Sequence, residues 1–322
     1  MSRAAWLAAG LVWIAGGAQA ARCEAPHYRP QPVEAPAGGV RIVGYNDMAE
    51  MVAGLDRAFE AAHPGIRFQT DLRGTRTGPP ALAAGTSVLA PMGAPFSGEE
   101  LGAYRRQTGA DPLVFPVAHA SLDPKALSGP LAIFVHPDNP LRQASLSAVA
   151  RLLTEGGAHT WGELGLAGAW AARPIHLTGL APQTALALEL QARAFPGRPY
   201  AARLELRQSE EVVRAVAEDP LALGFAALNR GEGRARPLAL SPRAGAPAVA
   251  PTAAAVRAGR YPLDRHLLIY ARQGADGRLE PLARDYLALA LSCEGQAIIA
   301  SGSLGYLPLN ARELKAERAR LR

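Results

Sequence analysis

Strand, loop and helix follow one another repeatedly along this chain, and that alternation restricts it to an α/β architecture with mainly parallel sheets. Val40-Arg41-Ile42-Val43-Gly44 reads as a first strand. Met48, Met51, Val52, Leu55 and Phe59 then fall at helical spacing, which predicts an amphipathic helix from Asp47 to Ala62, capped by Asn46 or Asp47 and stopped by His63-Pro64-Gly65. Further on, Ser97 with Glu100 makes a capping-box start for a helix through Gln107, and a strand follows from Leu113 to Val117. Leu131 to Val135 reads as a buried strand and Ser145 to Leu153 as a helix with one apolar face. Ile175-His176-Leu177 reads as a strand that leads, through Thr178 to Gln183, into a helix from Thr184 to Phe195.

A chain of 322 residues, 49% of them hydrophobic, can bury a full core and is long enough for two lobes. Residues 1–20 place Arg3 before an apolar, Ala/Gly-rich run that closes on Ala18-Gln19-Ala20, the small-x-small pattern of a signal-peptidase site. The run is short and poor in Leu and Ile, so it reads as a cleaved signal rather than a membrane span. Arg22 directly precedes Cys23, which argues against lipid attachment at that cysteine.

An exported chain meets an oxidising compartment, and this one has two cysteines, Cys23 and Cys293. Two readings stay open. They either join in a disulfide that ties the N-terminal arm to the first lobe, or Cys293 is a small buried apolar residue and Cys23 sits on a mobile arm. No zinc-type spacing is present. The formal charge is +6, and removal of residues 1–20, which carry Arg3 and no acid, leaves +5. Arginines scattered among Ala, Gly and Pro, without interleaved aromatics, describe a solvated basic surface and not a nucleic-acid groove. No Walker loop, dinucleotide fingerprint or His-Glu-x-x-His occurs, and Ser303 in Gly302-Ser303-Leu304-Gly305 lacks nucleophile-elbow spacing. These absences argue against an enzyme.

Gly74-Thr75-Arg76-Thr77-Gly78 lies between the strand-like Ile66 to Thr70 and the helix-like Pro80 to Ala84. A loop rich in glycine and hydroxyls at the mouth of a helix directs free backbone N–H groups and the helix dipole at one place, where an anion can sit. Together with His63-Pro64-Gly65, Gly85 to Met92, Tyr261-Pro262-Leu263-Asp264-Arg265 and Cys293-Glu294-Gly295-Gln296, this loop resembles the phosphate-binding, periplasmic component of bacterial ABC uptake systems. The resemblance spans nearly all of residues 40–310. It implies a type II-like, two-lobed periplasmic binding protein, α/β with mainly parallel sheets and a cleft between lobes. The crossings would fall near Val117 to Leu131 and Leu263 to Tyr270. Lobe one would hold residues 40–120 and 268–310 and lobe two residues 121–267, after an extended arm over 21–39 and before a charged tail, 311–322, that alternates charges like a solvated helix.

Ligands of open α/β sheets settle outside the carboxyl ends of strands. The resemblance places four loops at the cleft, and with them Asn46, Asp47, Gly74, Thr75, Arg76, Thr77, Met92, Gly93, Thr178, Gly179 and Thr184. It also exposes departures. Tyr45 or Asp47 stands for a small hydroxyl residue, Arg76 for a glycine, Val88 for an Asp and Leu180 for an Arg, while Thr75, Thr77 and Thr184 keep their hydroxyls. A carboxylate about 4 Å from an anion costs roughly 4 kcal/mol at an effective dielectric of 20. These departures point away from tight phosphate binding, unless Asp47 and Arg76 neutralise each other or hold a zwitterion between them. His119 reads as a hydrogen-bonded residue of the crossing strand, and Trp161 and Trp170 as packing residues.

The function this implies is that of an exported, monomeric solute-binding protein closing over phosphate or another oxyanion and working with an ABC permease. The alternative is a degenerate relative that serves as a periplasmic adaptor or sensor. Export carries its own prediction: mass spectrometry of the protein from the cell envelope should give a mature N-terminus near Ala21, and an intact Met1 in the membrane fraction would refute cleavage.

Overall fold

The computed structural model describes residues 25–34, 39–231, 233–274 and 276–321. Residues 1–20, which the sequence reads as a signal, Arg22, Cys23 and part of the arm lie outside these residues. In chain order the first portion runs β1 (Val40–Gly44), α1 (Ala49–Ala62), β2 (Phe68–Leu72), α2 (Gly78–Ala83), β3 (Leu89–Met92), α3 (Gly98–Thr108) and β4 (Leu113–His119). The middle portion holds β5 (Leu131–Val135), β6 (Gln143–Ser145), α4 (Leu146–Leu153), β7 (His176–Gly179), α5 (Ala185–Ala194), β8 (Glu205–Leu206), α6 (Ser209–Glu218) and β9 (Ala222–Ala227). After β10 (Arg236–Pro237), β11 (Ala239–Ser241) and α7 (Ala253–Arg257), the chain ends with β12 (His266–Ala271), α8 (Pro281–Ala290), α9 (Cys293–Ser301), β13 (Leu307–Pro308) and α10 (Ala311–Ala319).

Two main sheets result, the two-lobed α/β arrangement expected. The first has strand order β13-β4-β12-β3-β1-β2 and the second β10-β5-β9-β7-β8, with β6 and β11 pairing apart. The parallel pairs β1–β2 and β1–β3 and the parallel run β8–β7–β9 come from strand-helix-strand units. Antiparallel pairing arises where the chain changes sheets: β12 lies between β3 and β4, and β5 against β9. The chain leaves the first sheet after His119, joins the second at Leu131, and returns at His266.

Local sequence explains most element boundaries. Ser97 and Glu100 close a reciprocal capping box on α3, which ends on Gly109 at φ +74°. Ser145, Thr184 and Ser292 each accept a first-turn amide, starting α4, α5 and α9. The start of α1 differs from expectation. A single turn of 3-10 helix covers Asn46–Met48, α1 begins at Ala49, and neither Asn46 nor Asp47 caps it by a side-chain hydrogen bond. Asp47 is engaged elsewhere, as described below.

Each main sheet has its own core. Met48, Met51, Val52, Leu55 and Phe59 pack α1 onto β1 and β4, with Tyr286 and Leu287 of α8 against them. Trp161, Phe195, Leu190 and Phe225 fill the core of the second sheet, with Trp170 edge-on to Trp161 at 5.9 Å between centroids. Residues 25–34 run extended over the outside of α8 and α9, where Tyr28 donates to Asp285 (2.6 Å) and Cys293 N–H donates to Pro26 O (3.1 Å). Cys293 is disulfide-bonded, which favours the first of its two readings. The tail is not a solvated appendage: Leu314 of α10 and Leu321 after it are buried against the first core, and Arg320 lies over the Phe115 ring. Among the described residues no helix is long and apolar enough to cross a membrane.

One buried acid in the first core gives a pH test. Asp56 on α1 is 6% exposed and accepts the Tyr286 hydroxyl at 2.8 Å. Burial pushes its carboxyl up to about 7, against the pull of the Tyr286 hydrogen bond. Because the folded value lies above the unfolded one, the stability this group contributes is complete below about pH 4 and lost as pH rises through 7. Asp56→Asn keeps an acceptor for Tyr286 and removes the charge. Urea titrations at pH 4 and pH 8 should show the wild type losing ~2–4 kcal/mol relative to this variant over that span. Parallel profiles for the two proteins would contradict it.

Candidate functional site

Because β1, β2 and β3 are parallel neighbours, the loops after their carboxyl ends emerge on one edge of the first sheet. Tyr45 follows β1, Thr75 and Arg76 follow β2, and Gly93 to Gly98 follow β3. Opposite them stands α5, whose start and one face line the gap between Gln183 and Ala192, with Leu127, Ser128 and Arg265 from the two segments that pass between sheets. These residues enclose a cavity of about 780 Å³. Each lobe supplies one wall.

Of the residues expected here, Thr75, Arg76, Gly93 and Thr184 line the cavity. The others do not. Gly74 shapes the loop behind them at φ +145°, a value that favours glycine, and Thr77 donates to Gly74 O at 2.8 Å. Asn46 is exposed, and Met92 is wholly buried in a small apolar cluster with Leu82 and Tyr104. Thr178 is 3% exposed and donates to Glu205 O (3.2 Å), and a side chain on Gly179 would meet the Phe225 ring at 2.2 Å. Strand β7 is packed too closely at its end to offer these two to a solute.

Asp47 does not face the cavity either. Its carboxylate accepts Leu127 N–H at 2.8 Å and the Tyr306 hydroxyl, so it fastens the outgoing crossing to the C-terminal portion. It forms no ion pair with Arg76 among the described residues. Burial pushes the Tyr306 phenol well up, and the Asp47 hydrogen bond adds to that rise. Val88 precedes β3, at the strand end away from Gly93, and packs partly buried on the first core. Leu180 is 4% exposed in the second core. Neither is a vacant ligand position.

Three features of the cavity escaped the sequence reading, and a fourth, Tyr45, was expected at the cleft but not in its packing role. Arg265 is 4% exposed and spans the cleft: Nη2 donates to Gly93 O (2.7 Å), Nε to Glu189 Oε2 (2.6 Å), and Nη1 reaches Gly129 O at 3.5 Å. Glu189 on α5 also takes Arg193 Nη2 at 2.6 Å. The start of α3 opens into the cavity through Ser97 and Gly98, although Glu100 answers part of its dipole. Tyr45 fills the space a side chain at position 93 would need, its ring 2.4 Å from where that Cβ would lie, and its hydroxyl meets Ser128 Oγ at 3.1 Å. Burial raises the Tyr45 pKa, so the group is a neutral phenol in the physiological range. The signal for the α3 start was visible in Ser97 and Glu100; nothing local marks Glu189 as the partner of Arg265.

The cavity wall thus holds Arg76 and Arg265 against Glu100 and Glu189. Arg76 is exposed and has no ion-pair or hydrogen-bond partner among the described residues. Two helices of eleven and ten residues, α3 and α5, begin at the wall, where their first-turn amides lack intrahelical acceptors.

His119 lies outside the cavity, fully buried, with Nδ1 2.6 Å from Asp264 Oδ2. Burial pulls its pKa down, but Asp264 and Glu313 on its two nitrogens outweigh that and hold it up to about 9.

With the geometry in place, comparison with known proteins is informative. A family model described as the PBP superfamily domain matches residues 30–294. The phosphate-binding protein PstS of Pseudomonas aeruginosa is 28% identical over 320 residues, covering 95% of each chain. Among solved structures, an ABC-type phosphate transport receptor from Vibrio cholerae superposes with a TM-score of 0.57 at 16% identity, covering 83% of this chain and 99% of that one. A possible phosphate-binding protein from Planctomyces limnophilus gives 0.53 at 18%, covering 88% and 97%. The model match takes in every strand of both main sheets except β13 and every cavity-lining residue, so the chain belongs to the PBP superfamily.

Proposed function

We propose that this protein is the exported solute-binding component of an ABC uptake system, which closes its lobes over one small oxyanion, phosphate or a relative of it, and presents the closed form to a permease in the inner membrane. It acts as a monomer, with no cofactor and no catalytic step. The observation that carries this reading is the convergence of two helix starts from opposite lobes with the unpartnered Arg76 on one cavity. The crossings after His119 and before His266 serve as the hinge, and closure would bring Thr184 toward Thr75. Likeness to PstS of Pseudomonas aeruginosa supports phosphate as the first solute to test.

One observation favours the second reading, a periplasmic adaptor or sensor with a weakly occupied cleft. Arg265 is saturated by Glu189 and carbonyl oxygens, so most of the cationic capacity of the cavity is spent inside the protein. Calorimetric titration with phosphate and sulfate separates the two readings. Under the transport reading phosphate binds one per chain, small-angle scattering shows a smaller radius of gyration, and Arg76→Ala weakens binding about 10- to 100-fold, the loss of one charge-assisted hydrogen bond at ~1.5–3 kcal/mol. No heat with either anion would favour the adaptor.

Asp47 gives a separate expectation, because its carboxylate is occupied away from the cavity. Asp47→Thr should leave phosphate affinity within about threefold, and lower stability by ~1–3 kcal/mol through loss of the Leu127 and Tyr306 contacts. A large gain in phosphate affinity would show instead that this charge repels the solute.

A further inference from the structure

Strand β4 ends on His119 and β12 begins on His266, and antiparallel pairing sets the two directly opposite, so both side chains leave the sheet on one face. Their rings stand 4.7 Å apart at 39°. Helix α10 starts beside them from Asn310, whose capping box places Glu313 one turn in. Glu313 Oε2 lies 2.9 Å from His119 Nε2, and Oε1 lies 3.8 Å from His266 Nε2. These donor atoms fall within 4.8 Å of one another.

We propose that His119, His266 and Glu313 form a binding site for a divalent transition-metal ion of the zinc class, set where the chain leaves and rejoins the first sheet. Tetrahedral zinc with bonds of about 2.0–2.2 Å holds its ligand atoms roughly 3.3 Å apart, and the two observed separations bracket that distance. His119 Nε2 is buried, and the nearest acceptor it has is Glu313 Oε2, with which it forms no well-aligned hydrogen bond.

The surroundings agree. Asp264 Oδ2 at 2.6 Å from His119 Nδ1 fixes the ring and directs Nε2 into the cluster, the carboxylate-histidine arrangement that supports metal-bound imidazoles. The side chains of His266 and Glu313 remain 27% and 19% exposed, which leaves a solvent route for the ion and a fourth position for water. Two imidazoles and one carboxylate suit zinc, cobalt or nickel, not the hard oxygen-seeking ions. On binding, the ion takes the Nε2 position and one proton leaves His119 for solvent. None of the three ligands lines the solute cavity, so this site is distinct from it.

The test uses the untagged, mature protein after chelator dialysis. Addition of Co²⁺ should give the intense visible bands of four-coordinate cobalt at one ion per chain, and Zn²⁺ should bleach them. Competition with a chromogenic chelator should show His266→Ala and Glu313→Gln each weakening Zn²⁺ binding at least tenfold. A wild-type cobalt spectrum no different from the hexaaqua ion overturns the proposal, and this readout does not depend on whether the variants fold. Undiminished Zn²⁺ binding in both variants overturns it as well, because the ion then sits elsewhere.

Discussion

A guanidinium with almost no contact with water holds the cleft of this protein together. Arg265 reaches the loop after β3 through Gly93 O, the outgoing crossing through Gly129 O and helix α5 through Glu189. Removing such a charge from water costs several kcal/mol, and the arrangement persists because Glu189 stands within 2.6 Å and the carbonyls accept the other N–H groups. Glu189 in turn holds Arg193, which donates to the carbonyls of Pro262 and Asp264 just ahead of Arg265. Both sides of the cavity are therefore referenced to one short stretch of chain.

That internal pairing decides which groups the cavity has left to offer a solute. With Arg265 committed, attraction comes from Arg76 and from backbone amides at the starts of α3 and α5. Amides at helix starts are fixed in direction and carry fractional charge, so they select by shape and distance more than by net charge. A solute able to draw Arg265 away from Glu189 would gain a planar fork of donors, and α5 would lose its tie to the other lobe in the same event.

How much of this could be read from the sequence depends on how far apart the interacting residues lie. Capping boxes are local, so Ser97 with Glu100 marked the start of α3 unaided, and the period of Met51, Val52, Leu55 and Phe59 marked α1 and its buried face. The edge formed by β1, β2 and β3 was legible because successive strand-helix units put their loops on one side, which brought Thr75, Arg76 and Gly93 correctly to the cavity. Asp47 was not. Its acceptors' partners, Leu127 and Tyr306, lie 80 and 259 residues away, and no local pattern distinguishes a carboxylate fastening a crossing from one facing a ligand. Thr178 and Gly179 were misplaced for a related reason: they sit one step too early in the strand, where packing on Phe225 and β8 uses them up.

The contact between Tyr45 and Gly93 bears on how this cleft can change over evolutionary time. The aromatic ring stands where any side chain at position 93 would have to begin. A residue larger than glycine there requires the Tyr45 ring to swing away or position 45 to shrink, and either change opens a hole beside Ser128 and gives up the hydroxyl contact there. The two positions are linked in order as well as in space. Lineages that recruit a polar side chain at 93 must pass through a less stable intermediate or change both residues together, so this pair acts as a ratchet on the chemistry the pocket can acquire.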